Sequence, residues 1–309
     1  MEEQKIILAN GSNINEKWFS EPLTEFAAGI PCDNVKKALD AIAPEVRAPR
    51  RFEFFVSNSG SFVYDNEEIR EGEDGTIKTI HNGFMRVETS GNVILAKMNT
   101  YGLTTVIEDD DMFFQEQAVE DLKLRLLTAD LMRAAKLLDV LSGDAEEIVW
   151  ARGNKNDPIK DIKALISSVG NSNGMNANKL LYGFGAWNMS CEYFGSDSPN
   201  YTLAPRDLAF SLGVDDIIVS NNRAFVNNDE LLEEDGAPEY IIPKNKVYAF
   251  CSNGGVSRRD YSAIKRFVAH PFEVFSREKP GGLEISVYTT ALIAQTGIGG
   301  VKAYKVSNS

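Results

Sequence analysis

DMFFQEQAVEDLKLRLLTADLMRAAKLLDVLS, residues 111–142, contains neither proline nor glycine and stops at Gly143. Leu124, Leu127, Leu131, Ala134, Leu138 and Leu141 recur in it at spacings of three and four, which places them on one face of an α-helix. At 1.5 Å per residue the run makes a rod, or two near-collinear helices, of roughly 45 Å. The acidic Glu108-Asp109-Asp110-Asp111 just before it reads as a helix start, its charge favoured by the positive end of the macrodipole. Magnesium binding by the three aspartates is the weaker reading, because adjacent carboxylates at a helix start diverge and hard cations need converging oxygens.

Upstream of the rod, the chain reads as a long charged hairpin. Phe52-Glu53-Phe54-Phe55-Val56 and Ser61-Phe62-Val63-Tyr64 are β-prone runs around the turn residues Asn58-Ser59-Gly60. Residues 65–75 carry six carboxylates against Arg70 alone, so burying them would cost a large desolvation free energy. That stretch is expected to project into water or against a basic partner. Residues 76–80 and 84–89 alternate in polarity, and Ser90-Gly91-Asn92 turns the chain into Val93-Ile94-Leu95-Ala96-Lys97. Residues 61–97 are thus expected to be an antiparallel excursion. Residues 1–50 read as an arm, with Pro22, Pro31, Pro44 and Pro49 leaving room for one short helix, Asp33–Ile42.

Downstream the pattern is mixed α+β. Asp157-Pro158 is a cap and first-turn proline, Ile159, Ile162, Leu165, Ile166 and Val169 share a face, and Gly170 is the expected stop. A strand at 180–182, a helix near 186–193, a helix at 205–212 closed by Gly213, and a strand at 217–219 follow. The acidic stretch 229–239 reads as an exposed loop. Strands at 246–251 and 283–294 close the chain, with no internal repeat.

Across its 309 residues the chain is 43% hydrophobic and 25% charged, enough for a sizeable core in one elaborate domain or two intimate ones. A net charge of −13 argues against tight wrapping of nucleic acid, which needs a basic face. Cys32, Cys191 and Cys251 lie far apart, so neither a disulfide framework nor a zinc site is expected. Met1-Glu2-Glu3-Gln4-Lys5 lacks the basic start and apolar run of a secretory signal, and the 285–301 run is broken by glycines and hydroxyl residues, so no membrane span is read. Two histidines, His81 and His270, are a thin supply for proton transfer, and both read as structural. Gly183-Phe184-Gly185 has Asn188 where a dinucleotide fingerprint needs glycine, and Gly297-Ile298-Gly299-Gly300 leads into a strand, with no helix dipole to hold a phosphate. No catalytic residue, cofactor site or metal site is expected. Two small arginine groups, Arg47, Arg50, Arg51 and Arg258, Arg259, stand out in so acidic a chain. They are the expected receivers of a neighbour's acidic arm, which carries Glu67, Glu68, Glu71, Glu73 and Asp74.

This order of features resembles the major capsid protein of tailed bacteriophages, with the α+β Hong Kong 97-type capsid fold. Asn99-Thr100-Tyr101-Gly102-Leu103 through Ile107, followed by an acidic helix start, looks like the end of the E-loop of such coats. Asn178 through Gly183 with Trp187, and Leu212 through Ala224, are similar to segments of their axial domain. Ala177, Ser220 and Phe250-Cys251 depart from the usual proline, glycine and aromatic-glycine. The resemblance implies an N-terminal arm at 1–50, an E-loop with flanking strands at 51–106, and a spine helix and peripheral domain at 107–175. An axial domain at 176–275 and C-terminal strands completing the peripheral domain at 276–309 follow. It implies no enzyme, and a subunit that self-assembles as pentamers and hexamers of an icosahedral virion head, built in the bacterial host cytoplasm around weakly contacted double-stranded DNA. A separate scaffolding protein, a portal and a decoration protein are the implied partners. Lys78 and Lys97 fall in the loop, but no recipient asparagine or catalytic glutamate can be matched, so covalent cross-linking is not carried over. The rival readings are an encapsulin-like nanocompartment shell and a cytoplasmic α/β enzyme with an acidic pocket.

Overall fold

A computed structural model describes residues 18–58, 91–150, 157–195, 204–224, 238–255 and 260–308. Helices α1 (Glu21–Gly29) and α2 (Asp33–Ile42) lead into strands β1 (Glu45–Arg47) and β2 (Arg51–Ser57). The second helix has the expected bounds. The first was not anticipated: Pro22 falls in its first turn, where a missing N–H costs nothing.

Strand β2 pairs antiparallel with β3 (Gly91–Lys97), Arg51 facing Lys97 and Ser57 facing Gly91. The run 61–64 expected beside β2, the rest of 59–90 with His81, and most of the acidic 229–239 stretch lie outside the described residues. Strand β4 (Asn99–Glu108) then runs to a 3-10 turn, Asp109–Phe114, and the long helix α3, Gln115–Ser142. The rod is therefore one helix of 28 residues, about 42 Å long. Its aspartates are not side-chain caps, because the 3-10 turn moves the α-helical start on to Gln115, with Phe114 at the N-cap. Leu127, Leu131, Ala134 and Leu138 are buried as expected, but Leu124 is 40% exposed. Val119, Leu122 and Leu126 take its place, one residue round the helix.

Strand β5 (Glu146–Val149) and helix α4 (Pro158–Asn173) follow. Asp157 accepts a hydrogen bond from the Ile159 N–H, as its position implies, but the helix passes Gly170 and ends at Gly174, whose φ of 86° a side chain would strain. A Cβ on Gly170 would meet Asn176 Oδ1 at 2.2 Å, so that glycine serves close packing and not termination. Strand β6 (Lys179–Gly183) runs directly into α5 (Phe184–Gly195), as the glycine pattern there predicts. Then come α6 (Pro205–Leu212), closed by left-handed Gly213, and strands β7 (Asp216–Ser220), β8 (Arg223–Ala224), β9 (Glu239–Tyr240) and β10 (Lys246–Phe250).

The longest strand, β11 (Ile264–Lys279), was not anticipated from sequence. It pairs with β12 (Gly282–Gln295) through the two-residue turn Pro280-Gly281, and its register shifts between Val268 and Glu273, around Pro271. A proline has no N–H for the ladder, so a bulge is where a strand tolerates one. Strand β13 (Val301–Ser307) ends the described chain.

Two sheets organise these elements. One has the order β1-β11-β12-β4, the other β5-β13-β10-β6-β7. Strand β11 thus crosses residue 275, and the last strand joins the second sheet. Period-two alternation splits that sheet between two cores. Leu181, Ile218, Tyr248, Phe250 and Ala303 face α2 and the C-terminal half of α3, whereas Leu180, Tyr182, Ile217, Val247 and Ala249 face α4, α5 and α6. The N-terminal half of α3 packs with Ala27 of α1 on Val274, Ile285 and Val287 of the first sheet. One helix therefore spans both sheets.

Candidate functional site

Three polar fixings, two of them buried, hold α3 in that bridging position. Asp130 is fully buried and accepts from Arg266 Nε at 3.0 Å, Arg133 at 2.9 Å and the Tyr101 hydroxyl at 2.5 Å. Arg266, 2% exposed, also donates to Glu45 at 2.9 Å, while its remaining terminal nitrogen finds no partner. Strands β1, β4 and β11 of the first sheet and the helix thus meet at one ion cluster. Burial, followed by the Asp130 charge and hydrogen bond, pushes the Tyr101 phenol well up, so it stays a donor.

About two and a half turns further along, Asp139 accepts from Lys246 and from the Tyr248 hydroxyl, both at 2.6 Å, which ties the helix to the second sheet. Near the other end, buried Lys123 donates to Ala27 O at 2.6 Å and Ile30 O at 2.9 Å. Desolvation lowers its pKa, and the free carbonyls at the end of α1 compensate its charge. Sequence reasoning found none of these roles, since a lone charge on an apolar stripe looks like solvated surface. Lys123 and Asp130, seven residues apart and so on one face with the leucines, were the available signal.

Of the sequence-predicted contact residues, Arg47, Arg50 and Arg51 are described, whereas Glu67, Glu68, Glu71, Glu73, Asp74, Arg258 and Arg259 lie outside the described residues. Arg47 is engaged by Glu45 of its own strand at 3.1 Å. Arg50 keeps a sequestered Nε without a partner. Arg51 is exposed and sits directly across from Lys97, and like charges so placed repel unless an acidic group comes between them. The foot of the β2–β3 ribbon is therefore a small cationic patch. Below it Phe52, Phe54 and Phe267 stack with centroids 4.6 to 5.8 Å apart, lining a groove of about 460 Å³.

Among the described residues no group of three or more His, Cys, Asp or Glu could hold a metal ion. His270 is exposed and pairs with Glu273 at 3.1 Å. Cys251 lies buried, its thiol pushed up to about 11 chiefly by desolvation, which makes it a poor nucleophile. No helix among the described residues is long and apolar enough to cross a membrane. What the surface does offer is apolar side chains in water: Val93 and Leu95 on the ribbon, Phe113 at the head of α3, Val140 near its end, and Phe210 on α6.

No protein-family model matches the chain, and no curated protein does either. Solved structures do match. A phage-related protein from Bordetella bronchiseptica RB50 superposes with a TM-score of 0.67 at 12% identity, over 94% of this chain and 97% of that one. The virus-like particle from Pyrococcus furiosus does so at 0.50 and 11% identity, over 94% and 100%. The putative capsid protein of an Escherichia coli CFT073 prophage matches at 0.44 and 10% identity, over 94% and 99%.

Proposed function

The chain shares its α+β fold, the expected Hong Kong 97-type architecture, with a phage-related protein and a virus-like particle, and from this we propose that it is a non-enzymatic shell subunit, the major capsid protein of a tailed phage or prophage. One observation carries the reading: nearly the whole of this chain superposes on nearly the whole of the Bordetella protein. The physical character of the molecule supports it. A bridging helix locked at both sheets gives a rigid subunit, and exposed Phe, Val and Leu side chains on projecting elements suit surfaces that repetition buries.

In this reading residues 1–50 are the arm, 51–106 the E-loop with its flanking strands, 107–175 the spine helix and peripheral domain, and 176–275 the axial domain. Residues 276–309 complete the peripheral part, with β11 straddling the 275 boundary and β13 lending its strand to the axial sheet. Copies form pentamers and hexamers of an icosahedral virion head, assembled in the bacterial cytoplasm with a scaffolding protein, a portal and a decoration protein. The net negative subunit lets packaged double-stranded DNA slide past its inner wall. Glu67, Glu68, Glu71, Glu73 and Asp74 of one copy pair with Arg47, Arg50, Arg51, Arg258 and Arg259 of a neighbour. The repulsive Arg51–Lys97 placement leaves room for such an acidic visitor.

Particle contents test the proposal. Shells purified from cells that make the complete particle should hold nuclease-protected double-stranded DNA. Shells filled with a protein cargo and no nucleic acid would favour a nanocompartment, and a monomer that turns over a small substrate would overturn both.

A further inference from the structure

A groove of about 680 Å³ lies beside the C-terminal half of α3, walled on one side by Arg133, Lys136, Leu137 and Val140 and on the other by Ala291, Leu292 and Ile293. Asp130 at its edge is consumed by Arg266, Arg133 and Tyr101. Lys136 is exposed and has no ion-pair partner among the described residues, and the Arg133 side chain is 54% exposed. Val140, 70% exposed, adds apolar surface on the same helical stripe. The groove therefore combines an apolar wall with cationic charge, in a chain whose net charge is −13.

The complement is found at the other end of the same helix. Phe113 is 93% exposed and Phe114 54% exposed, among the exposed carboxylates Glu108, Asp110, Asp111 and Glu116. A groove of this size takes a phenyl ring and its flanking peptide. The two features cannot meet within one chain, because the 24 residues from Phe113 to Leu137 lie almost wholly in a straight helix, which holds them roughly 36 Å apart.

We infer that the acidic, phenylalanine-bearing start of α3 in one copy docks into the basic apolar groove beside the end of α3 in the next copy. The contact is heterologous: each copy gives one feature and receives the other, so it propagates around a ring or along a lattice. It rests on the shell reading and adds to it a specific head-to-tail contact between spine helices.

Directed cross-linking tests it in the full chain. In a Cys191→Ser background, Phe113→Cys and Val140→Cys together should give, on oxidation of assembled particles, a ladder of disulfide-linked dimers, trimers and higher forms. Either cysteine alone should give no such link, since its partner position then carries no thiol. Phe113→Ser alters an exposed side chain and should leave thermal unfolding unchanged, while particle yield falls roughly tenfold, the loss expected of one interface anchor. Lys136→Glu should impair assembly too, and Asp110→Lys with Asp111→Lys in the same chain should restore it. If wild-type particles form, yet the double cysteine gives no ladder and Phe113→Ser assembles normally, this contact is wrong and the shell reading stands. If the wild-type chain never assembles, both fall. A triple charge variant no better than Lys136→Glu alone would overturn the charge match.

Discussion

Asp130→Ala removes the acidic centre of the ion cluster that joins β1, β4, α3 and β11. Arg266, 2% exposed and already lacking one hydrogen-bond partner, would then keep only Glu45, whose side chain is 27% exposed. Breaking a buried pair from one side costs about 3–5 kcal/mol, because the surviving charge stays desolvated. For a chain of this length that corresponds to a fall in Tm of roughly 5–8 °C. Replacing both partners, Asp130→Leu with Arg266→Met, should recover most of the loss and leave the protein within about 2 kcal/mol of wild type, since no buried charge is orphaned. Glu45 and Arg133 are solvated enough to stand alone. Urea unfolding of the unassembled chain, followed by the fluorescence of buried Trp150 and Trp187, measures each variant. A loss below about 1 kcal/mol for Asp130→Ala, or a double variant no more stable than the single, would refute the reasoning.

Leu131→Asp places a carboxylate at a fully buried position on α3 and should cost more than about 5 kcal/mol, so the variant should be recovered unfolded or insoluble; a soluble, cooperatively melting product contradicts this. Asp157→Ala removes the side-chain cap of α4 and should lower stability by about 0.5–2 kcal/mol in the same urea assay, without altering assembly. Asp139 predicts a pH dependence: burial raises its pKa, but hydrogen bonds from Lys246 and Tyr248 and the Lys246 charge outweigh that and hold it below the usual carboxylate value. Its contribution is complete above the unfolded pKa of about 3.9 and is lost as pH falls through the lower folded value. Lys246→Met should therefore flatten the decline of stability below about pH 4, and an unchanged profile would show that the bridge does not couple to folding.

What the sequence disclosed follows from the range of the forces involved. Helices set by local signals were legible: Asp157-Pro158 starts α4, Gly213 ends α6, and the leucine spacing marks α3. Long-range pairing was less so. Strand β11 hides behind Pro271 and a bulge, and its Arg266 looks like surface until Asp130 and Glu45 arrive from distant parts of the chain to neutralise it. The same holds for Lys123, whose partners are carbonyls at the end of another helix. The Asp109 to Asp111 run was misread as capping because composition does not distinguish a 3-10 turn from an α-helical start. At the candidate surfaces the arginines were singled out by their clustering, and Arg47, still largely exposed, also meets Glu45 of its own strand; Phe113, 93% exposed, drew no notice because an isolated Phe-Phe pair carries no periodic signal.

The most direct test of the central claim is the mass and shape of what the chain forms, by electron microscopy with sedimentation velocity, alone and with the scaffolding protein that the proposal calls for. Closed shells, or rings of five and six copies, are the predicted result. A strictly monomeric species across concentration and salt, with the scaffolding protein present, would contradict it.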